Sequence, residues 1–271
     1  MSQYWDSIKR SVEFIQEHFK RETLPPTAVV LGSGFKDFLK SVENPQSLAY
    51  EEIPGFKAPT VKGHGGEIVI GKIDKQEVCV FSGRIHLYEG HTPFEVVYPI
   101  RVVSTIGVQN LILTNAAGSL RKDLSPGQIV LIRDHVNLTG TNCLIGLPDE
   151  LGPFFIDMSK CYHPKWRQNL LEMEPNLSEG VYAGVVGPSY ETTAEVQMMA
   201  KVGCDLVGMS TVQEAIAAHH MKINVMAMSF VTNLAGGLGD EDLNHEDVLD
   251  LVNQNKQKMI STLTHAVMSA P

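Results

Sequence analysis

The stretch FSGRIHLYEGH, from Phe81 to His91, sets an arginine, two histidines, a tyrosine and a glutamate directly after an apolar run. A guanidinium is a planar fork matched to phosphate or carboxylate, and it ends a buried strand poorly unless an anion meets it. Arg84 is therefore the discriminating residue, and His86, two positions on, faces the same side if the chain stays extended. Together they have the chemistry to grip a divalent oxyanion. A metal site made by His86, Glu89 and His91 is the competing reading, but no H-E-x-x-H pattern or acidic cluster supports it. A solvated loop is the third.

Four other short stretches carry similar groups. Gly32-Ser33-Gly34 opens like a dinucleotide fingerprint, yet the third glycine it needs is replaced by Asp37. What remains is a tight turn whose backbone N–H groups and Ser33 hydroxyl can cradle an oxyanion at a helix start. TNAAGS, starting at Thr114 and Asn115, is either a close-packed turn or a row of small residues that open their N–H groups to a ligand. Ser210 precedes a helical pattern, so an anion role and an N-cap role are both open to it. Thr232 and Asn233 close the run MSFVTN. His219 and His220, late on a helical pattern, read as structural or cap-related.

The elements that must position these groups follow from hydrophobic pattern. Buried strands are expected at 28–32, 67–71, 77–83, 110–116, 128–134, 180–187, 205–210 and 223–233. Helices are expected near 3–19, 93–107, 164–174, 191–202, 212–221 and 245–268. Such alternation predicts an α/β fold with a mixed, largely parallel sheet covered by helices on both faces. With no composition break, residues 1–271 form one domain, with an N-terminal amphipathic helix inside 1–24. In such sheets ligands sit beyond the carboxyl ends of strands, and five strand ends here carry small or hydrogen-bonding groups, which predicts a shared pocket. Two segments, 52–66 and 137–163, are too irregular or too long for plain connections and read as functional or interface loops. The apolar PFFIDM inside the second either meets a neighbouring subunit or packs internally.

Composition narrows the partners. With 22 basic against 31 acidic residues and a net charge of −9, nucleic acid and anionic membrane are poor candidates, and any bound anion must be held locally. Four scattered cysteines without C-x-x-C spacing suit a reduced, cytoplasmic protein. No signal peptide and no membrane-spanning run are visible.

Taken in order, LGSG, GHGG, SGRIHLYEGH, TNAAGS, GPSYET, GMSTVQEAIAA, SFVTN and NHEDV resemble the trimeric purine nucleoside phosphorylases, from about residue 25 to 268. Each motif alone is weakly specific; the ordered set is not. The resemblance implies a nucleoside phosphorylase-like fold with a distorted, barrel-like sheet and a homotrimer. It also implies reversible phosphorolysis of purine nucleosides and deoxynucleosides, inosine and guanosine above all, to free base and (deoxy)ribose 1-phosphate. No cofactor or metal is implied, phosphate being a co-substrate. The family's phosphate site falls on Ser33, Arg84, His86, the backbone N–H of Ala116, and Ser210, with His64 on a gate nearby. Its ribose contacts fall on Tyr88, Met209 and His245, and its base contacts on Tyr190, Glu191 and Asn233. Asn233, His86 and Glu191 are the residues expected to act on the reaction itself.

The reaction needs those types. Departure of the purine leaves a cationic sugar, which a phosphate held beneath it both stabilises and attacks. Asn233 can accept from a protonated N7 and donate to a 6-oxygen, while an ionised Glu191 suits the N1–H of a 6-oxopurine. Adenine, with a 6-amino donor and a bare N1, mismatches both. Two departures stand out. The family's ribose-covering aromatic from a neighbouring subunit aligns roughly with Leu151, with Phe154 and Phe155 as alternatives. Leu234 and a glycine-rich stretch follow Asn233, leaving xanthosine use open. The rival readings are a nucleoside hydrolase, which has no use for the anion cluster, and a nucleoside-binding protein without turnover.

Overall fold

A computed structural model of the chain describes residues 2–60, 66–238 and 245–271, with backbone alone at 245–249. Nine strands run in chain order as β1 (Thr27–Leu31), β2 (Glu43–Ala49), β3 (Glu67–Ile73), β4 (Gln76–Ser82), β5 (Asn110–Ser119), β6 (Ile129–Asn137), β7 (Ser178–Gly184), β8 (Leu206–Gly208) and β9 (Asn224–Leu234). The α-helices are α1 (Gln3–Phe19), α2 (Pro93–Thr105), α3 (Pro164–Met173), α4 (Thr193–Lys201), α5 (Val212–His220) and α6 (His245–Met268).

Alternation along the apolar runs divides the interior into two cores. Ala28 and Val30 of β1, Cys79 and Phe81 of β4, and Leu111 and Leu113 of β5 face one side, where α1, α2 and α5 bury Ile8, Ile15, Val97 and Ile216. Their neighbours Val29, Leu31, Val78, Val80 and Ile112 face the other, against Trp166 of α3 and Met259 and Leu263 of α6. Period-2 side-chain direction converts a continuous apolar run into a strand buried on both faces. A third cluster under α4 holds Val196 and Met199 with Val207 and Ala235.

The sheet order is β2-β3-β4-β1-β5-β8-β7-β6-β9, and β9 also pairs with β5. That last pairing closes β5, β8, β7, β6 and β9 into a ring, while β2, β3, β4 and β1 form an open wing on it. The expected mixed, barrel-like sheet is thus present, but five parallel pairings stand against four antiparallel ones, so "largely parallel" overstates it. The reasons are local: only Asp74 and Lys75 separate β3 from β4, which forces a hairpin, and ring closure turns β5–β8 and β6–β9 antiparallel. The unforeseen strand β2 reads ENPQSLA, mostly exposed with a proline, which suits an edge and leaves no apolar run to detect.

Helix starts explain other corrections. No α-helix follows Gly34; a 3-10 helix spans Lys36–Ser41 instead. Thr211, not Ser210, is the N-cap residue of α5. Glu191 lies outside α4, whose cap is Thr192 and whose first-turn acid is Glu195, paired through a capping box. No described helix is long and apolar enough to cross a membrane.

Register fixes where a site can form. β1 pairs with β5 only as far as Val30 and Leu113, and β5 then continues past the end of β1, still paired with β9, to meet β8 at Gly118 and Ser119. At that divergence Gly32 lies so close that an added Cβ would sit 2.3 Å from the Thr114 carbonyl oxygen and 2.9 Å from the Asn115 Cα, both backbone atoms that cannot step aside. Gly32→Ala is therefore expected to lower unfolding free energy by about 1–3 kcal/mol through overpacking, read as a reduced urea midpoint with an unchanged m-value.

Candidate functional site

Where β5 leaves β1, a cleft of about 400 Å³ opens, lined by Gly32, Ser33, Arg84, His86, Tyr88, Asn115, Ala116, Ala117, Gly118, Tyr190, Glu191, Val207, Gly208, Met209, Ser210, Thr232 and Asn233. Ser33, Arg84, His86, Ala116, Ser210, Tyr88, Met209, Tyr190, Glu191 and Asn233, singled out from sequence, are all brought together there. His64 lies outside the described residues, and His245 begins α6 with only its backbone described. Three of the five stretches do follow strand ends, those after β1, β4 and β8. The other two differ, because Thr114–Ser119 and Thr232–Asn233 lie within β5 and β9, side by side in the ring wall.

Arg84 follows β4 through Gly83, whose φ of +108° suits glycine and whose carbonyl accepts from the Tyr50 hydroxyl at 2.9 Å. Its side chain is 6% exposed. Nε donates to Glu214 Oε1 at 3.1 Å, and Nη1 to the Thr114 carbonyl at 2.7 Å and Ser210 Oγ at 3.4 Å. Nη2 is buried with no partner among the described residues. A buried guanidinium with two unmet N–H bonds is costly, and an anion in the cleft is what would meet them.

Ser210 is held from the other side. Asn115 Nδ2 donates to Thr211 Oγ1 at 2.8 Å, and Thr211 Oγ1 in turn lies 3.1 Å from Ser210 Oγ, a contact in which either hydroxyl can donate. Arg84 donates to the Ser210 oxygen, and when Thr211 donates too, the Ser210 proton is available to an incoming anion. Thr114 ties the opposite rim, accepting from Gly32 N and donating to the Val30 carbonyl, both at 2.9 Å.

His86 is oriented by Glu89. One carboxylate oxygen meets His86 N at 2.8 Å and Nδ1 at 2.9 Å; the other accepts from Thr60 N at 2.8 Å and Oγ1 at 2.5 Å. Burial pushes the Glu89 carboxyl up, but the hydrogen bonds from Thr60 and His86 outweigh it and bring it down to about 2. Tyr88 stacks on the His86 ring, centroids 4.6 Å apart, and its phenol is pushed up to about 12, chiefly by burial. The alternative metal set dissolves: Glu89 is committed to these donors, His91 faces Glu95 at 4.0 Å, and among the described residues no group of three His, Cys, Asp or Glu could hold a metal ion.

The other half of the cleft is looser. Asn233 Oδ1 accepts from Thr232 Oγ1 at 2.7 Å and Nδ2 donates to the Leu234 carbonyl at 3.0 Å, which among the described residues leaves one lone pair and one N–H. Burial raises the Glu191 carboxyl above its ordinary value. Tyr190 is 69% exposed. In the long loop Leu151 is buried in this chain's own core, whereas Phe154 and Phe155 are 46% and 96% exposed. Leu151 thus packs within the chain, while the two phenylalanines project from it. His219 and His220 turn out to hold that loop, meeting the carbonyls of Asp157 at 2.8 Å and Pro153 at 3.0 Å.

Sequence reasoning missed Glu214, Thr60 and the hydrogen-bonding use of Thr211, and weighed Glu89 only as a metal ligand. A signal existed for Glu214: Thr211-x-x-Glu214 is the same Thr-x-x-Glu pattern as Thr92–Glu95 and Thr192–Glu195. Nothing local announced that this copy would be buried beside Arg84.

Comparison with known proteins bears on this site. Residues 26–268 match the family model of the phosphorylase superfamily. A purine nucleoside phosphorylase of Mycobacterium tuberculosis is 47% identical over 223 residues, covering 82% of this chain and 81% of the relative. Purine nucleoside phosphorylase 1 of Bacillus subtilis is 39% identical over 257 residues, covering 93% and 94%. Among solved structures, a Schistosoma mansoni purine nucleoside phosphorylase in complex with inosine superposes with a TM-score of 0.90 at 34% identity, covering 98% of this chain and 97% of that one. One in complex with adenosine superposes with a TM-score of 0.90 at 33% identity, covering 98% of each.

The Glu89 geometry carries a pH signature. Folded Glu89 stays ionised down to about pH 2, whereas the unfolded chain takes up its proton near the ordinary value of 4.5. Its stabilisation is thus complete above pH 4.5 and is lost as pH falls from 4.5 towards 2. The stability difference between wild type and Glu89→Gln is expected to shrink steadily across that window in urea titrations. A difference that stays constant with pH refutes the linkage.

Proposed function

This chain belongs to the purine nucleoside phosphorylase family, and from that premise we propose that it cleaves inosine, guanosine and their 2′-deoxy counterparts with inorganic phosphate, giving free base and (deoxy)ribose 1-phosphate. One observation carries the reading. A single cleft holds both a buried guanidinium with an unmet Nη2 and, with it, a carboxylate and an amide suited to a 6-oxopurine.

Phosphate would occupy the pocket formed by Arg84, His86, Ser33, Ser210 and the Ala116 N–H. Held there, it supplies negative charge beneath a sugar that becomes cationic and is already in place as the nucleophile, so the attack costs little reorganisation. Tyr88 and Met209 would flank the sugar; Tyr88, stacked on His86, links the sugar and phosphate contacts mechanically. As the glycosidic bond breaks, electrons flow into the purine, and Asn233 retains one acceptor and one donor position for a protonated N7 and the 6-oxygen. Glu191, whose burial disfavours its charge, gains most from a ligand that donates to it, as N1–H does. No cofactor enters this scheme.

Adenine presents the opposite pattern at positions 1 and 6. A crystal of a Schistosoma relative holds adenosine, so discrimination in this fold is expected in turnover rather than in occupancy. We propose further that the chain works as a homotrimer in which Phe154 or Phe155 covers a neighbour's sugar, because both project from the long loop beyond the chain's own core. Four buried, unpaired thiols suit the cytoplasm as its compartment.

The deciding experiment is inosine cleavage with and without phosphate, following hypoxanthine and sugar phosphate. Phosphate-dependent release with ribose 1-phosphate is expected; release in its absence means a hydrolase, and tight binding without release means a binding protein. Arg84→Ala should lower kcat/KM for phosphate about 100-fold or more, with inosine binding much less affected. Asn233→Asp should shift preference towards adenosine, and an unchanged inosine-to-adenosine ratio would remove the base-recognition argument.

A further inference from the structure

Glu214 is an ionisable group with no place in the scheme above. It lies on the first turn of α5, 3% exposed, directly behind the phosphate half of the cleft. Its two carboxylate oxygens do different things: Oε1 takes the Arg84 Nε–H at 3.1 Å, and Oε2 takes the Thr211 N–H at 3.1 Å. The second contact is at an unusual backbone position. Thr211 has φ +72° and ψ −48°, and the Val212 N–H bonds back to the Ser210 carbonyl at 2.8 Å, making a three-residue γ-turn of the strained, positive-φ kind. A β-branched residue stays in that conformation only when its surroundings over-determine it. Here they do: Glu214 holds the Thr211 N–H, Asn115 holds its hydroxyl, and the residue is 1% exposed.

We propose that Glu214 is the positioning residue of the phosphate site, a single buried carboxylate that fixes the Arg84 guanidinium and the Ser210–Thr211 turn relative to each other. Through it the fork of Arg84 and the hydroxyl of Ser210 are held at one spacing before any anion arrives. The inference rests on the phosphorolysis reading, since it gives Glu214 a role through residues that reading assigns to phosphate.

Simple electrostatics makes the opposite forecast, which gives the proposal a sharp test. If Glu214 were only a countercharge, removing its negative charge would leave Arg84 more positive and tighten phosphate binding. If it positions, loss of either contact loosens the site. Glu214→Gln keeps the shape but replaces one oxygen by an N–H₂, which then confronts either the Arg84 Nε–H or the Thr211 N–H, donor against donor. Glu214→Asp keeps the charge but is one methylene too short to reach both donors at once.

The experiment is steady-state kinetics of inosine phosphorolysis with phosphate and inosine varied separately, for wild type and both variants, alongside the thermal shift induced by inorganic phosphate. Both variants are expected to raise KM for phosphate about tenfold or more and to shrink the phosphate-induced thermal shift, with KM for inosine changed less than about threefold. Tighter phosphate binding in Glu214→Gln, or wild-type KM for phosphate in Glu214→Asp, overturns the positioning role. So does failure of both variants to fold, which would assign Glu214 to the core instead. If wild type itself turns over without phosphate, the phosphorolysis reading fails and not merely this addition to it.

Discussion

A guanidinium that is 6% exposed and paired with one carboxylate is the constraint around which the rest of the molecule is arranged. Burying a charge is expensive unless its hydrogen bonds are met, and Arg84 meets only part of its capacity among the described residues. The cost is tolerated because three separate pieces of chain, at Tyr50, at Thr114 and at residues 210–214, converge to fix it. Tyr50 fixes the glycine before it, Thr114 accepts from Nη1, Glu214 from Nε, and Ser210 stands at the margin. None of these belongs to the same element, so the arrangement exists only in the complete fold.

The topology supplies the convergence. β5 keeps β9 on one edge along its whole length and changes partner on the other: its first half lies beside β1 of the open wing, and its end lies beside β8 of the closed ring. Where it changes partners, the end of β1 is freed, the end of β4 turns, and short β8 delivers Met209 and Ser210 to the same level. A ligand crevice at a change of strand partners is the general expectation for open α/β sheets, here produced by a ring that closes on one side of the change. Gly32 is the seam, because only a residue without Cβ fits against the β5 backbone there.

How much of this could be read from residues alone depended on the range of the interaction. Buried strands with apolar runs were legible because burial on both faces leaves a continuous signature, and the site residues were legible by type and by the order of their motifs. β2 was not, since an exposed edge strand containing Asn44 and Pro45 has no hydrophobic pattern to show. The antiparallel ring closures were not, because strand direction inside a barrel is decided by partners far along the chain. Leu151 aligned with a neighbour-reaching aromatic yet lies in this chain's own core, a matter of how one loop turns. Glu214 and the γ-turn at Thr211 were the hardest: the local pattern reads as an ordinary capping box, and only long-range packing makes it the back wall of a pocket.

The two halves of the cleft differ in how far their polar groups are already buried and paired, and the difference suits what each would do in the proposed reaction. Phosphate is small, highly charged and the same for every substrate, so a pre-set network of buried donors can be matched to it once, with no reorganisation during reaction. The base half must take purines that differ at several edges and let each leave. There Asn233 keeps one acceptor and one donor position unspent, Glu191 lies before α4 with its charge disfavoured by burial, and Tyr190 is mostly exposed. A ligand therefore completes that half rather than filling a finished one. In the proposed reaction, discrimination between bases would come from which ligand best relieves Glu191 while satisfying Asn233. On the proposed reading, the half built on Arg84 would fix where the sugar is attacked, and the half built on Asn233 and Glu191 would decide which base can leave.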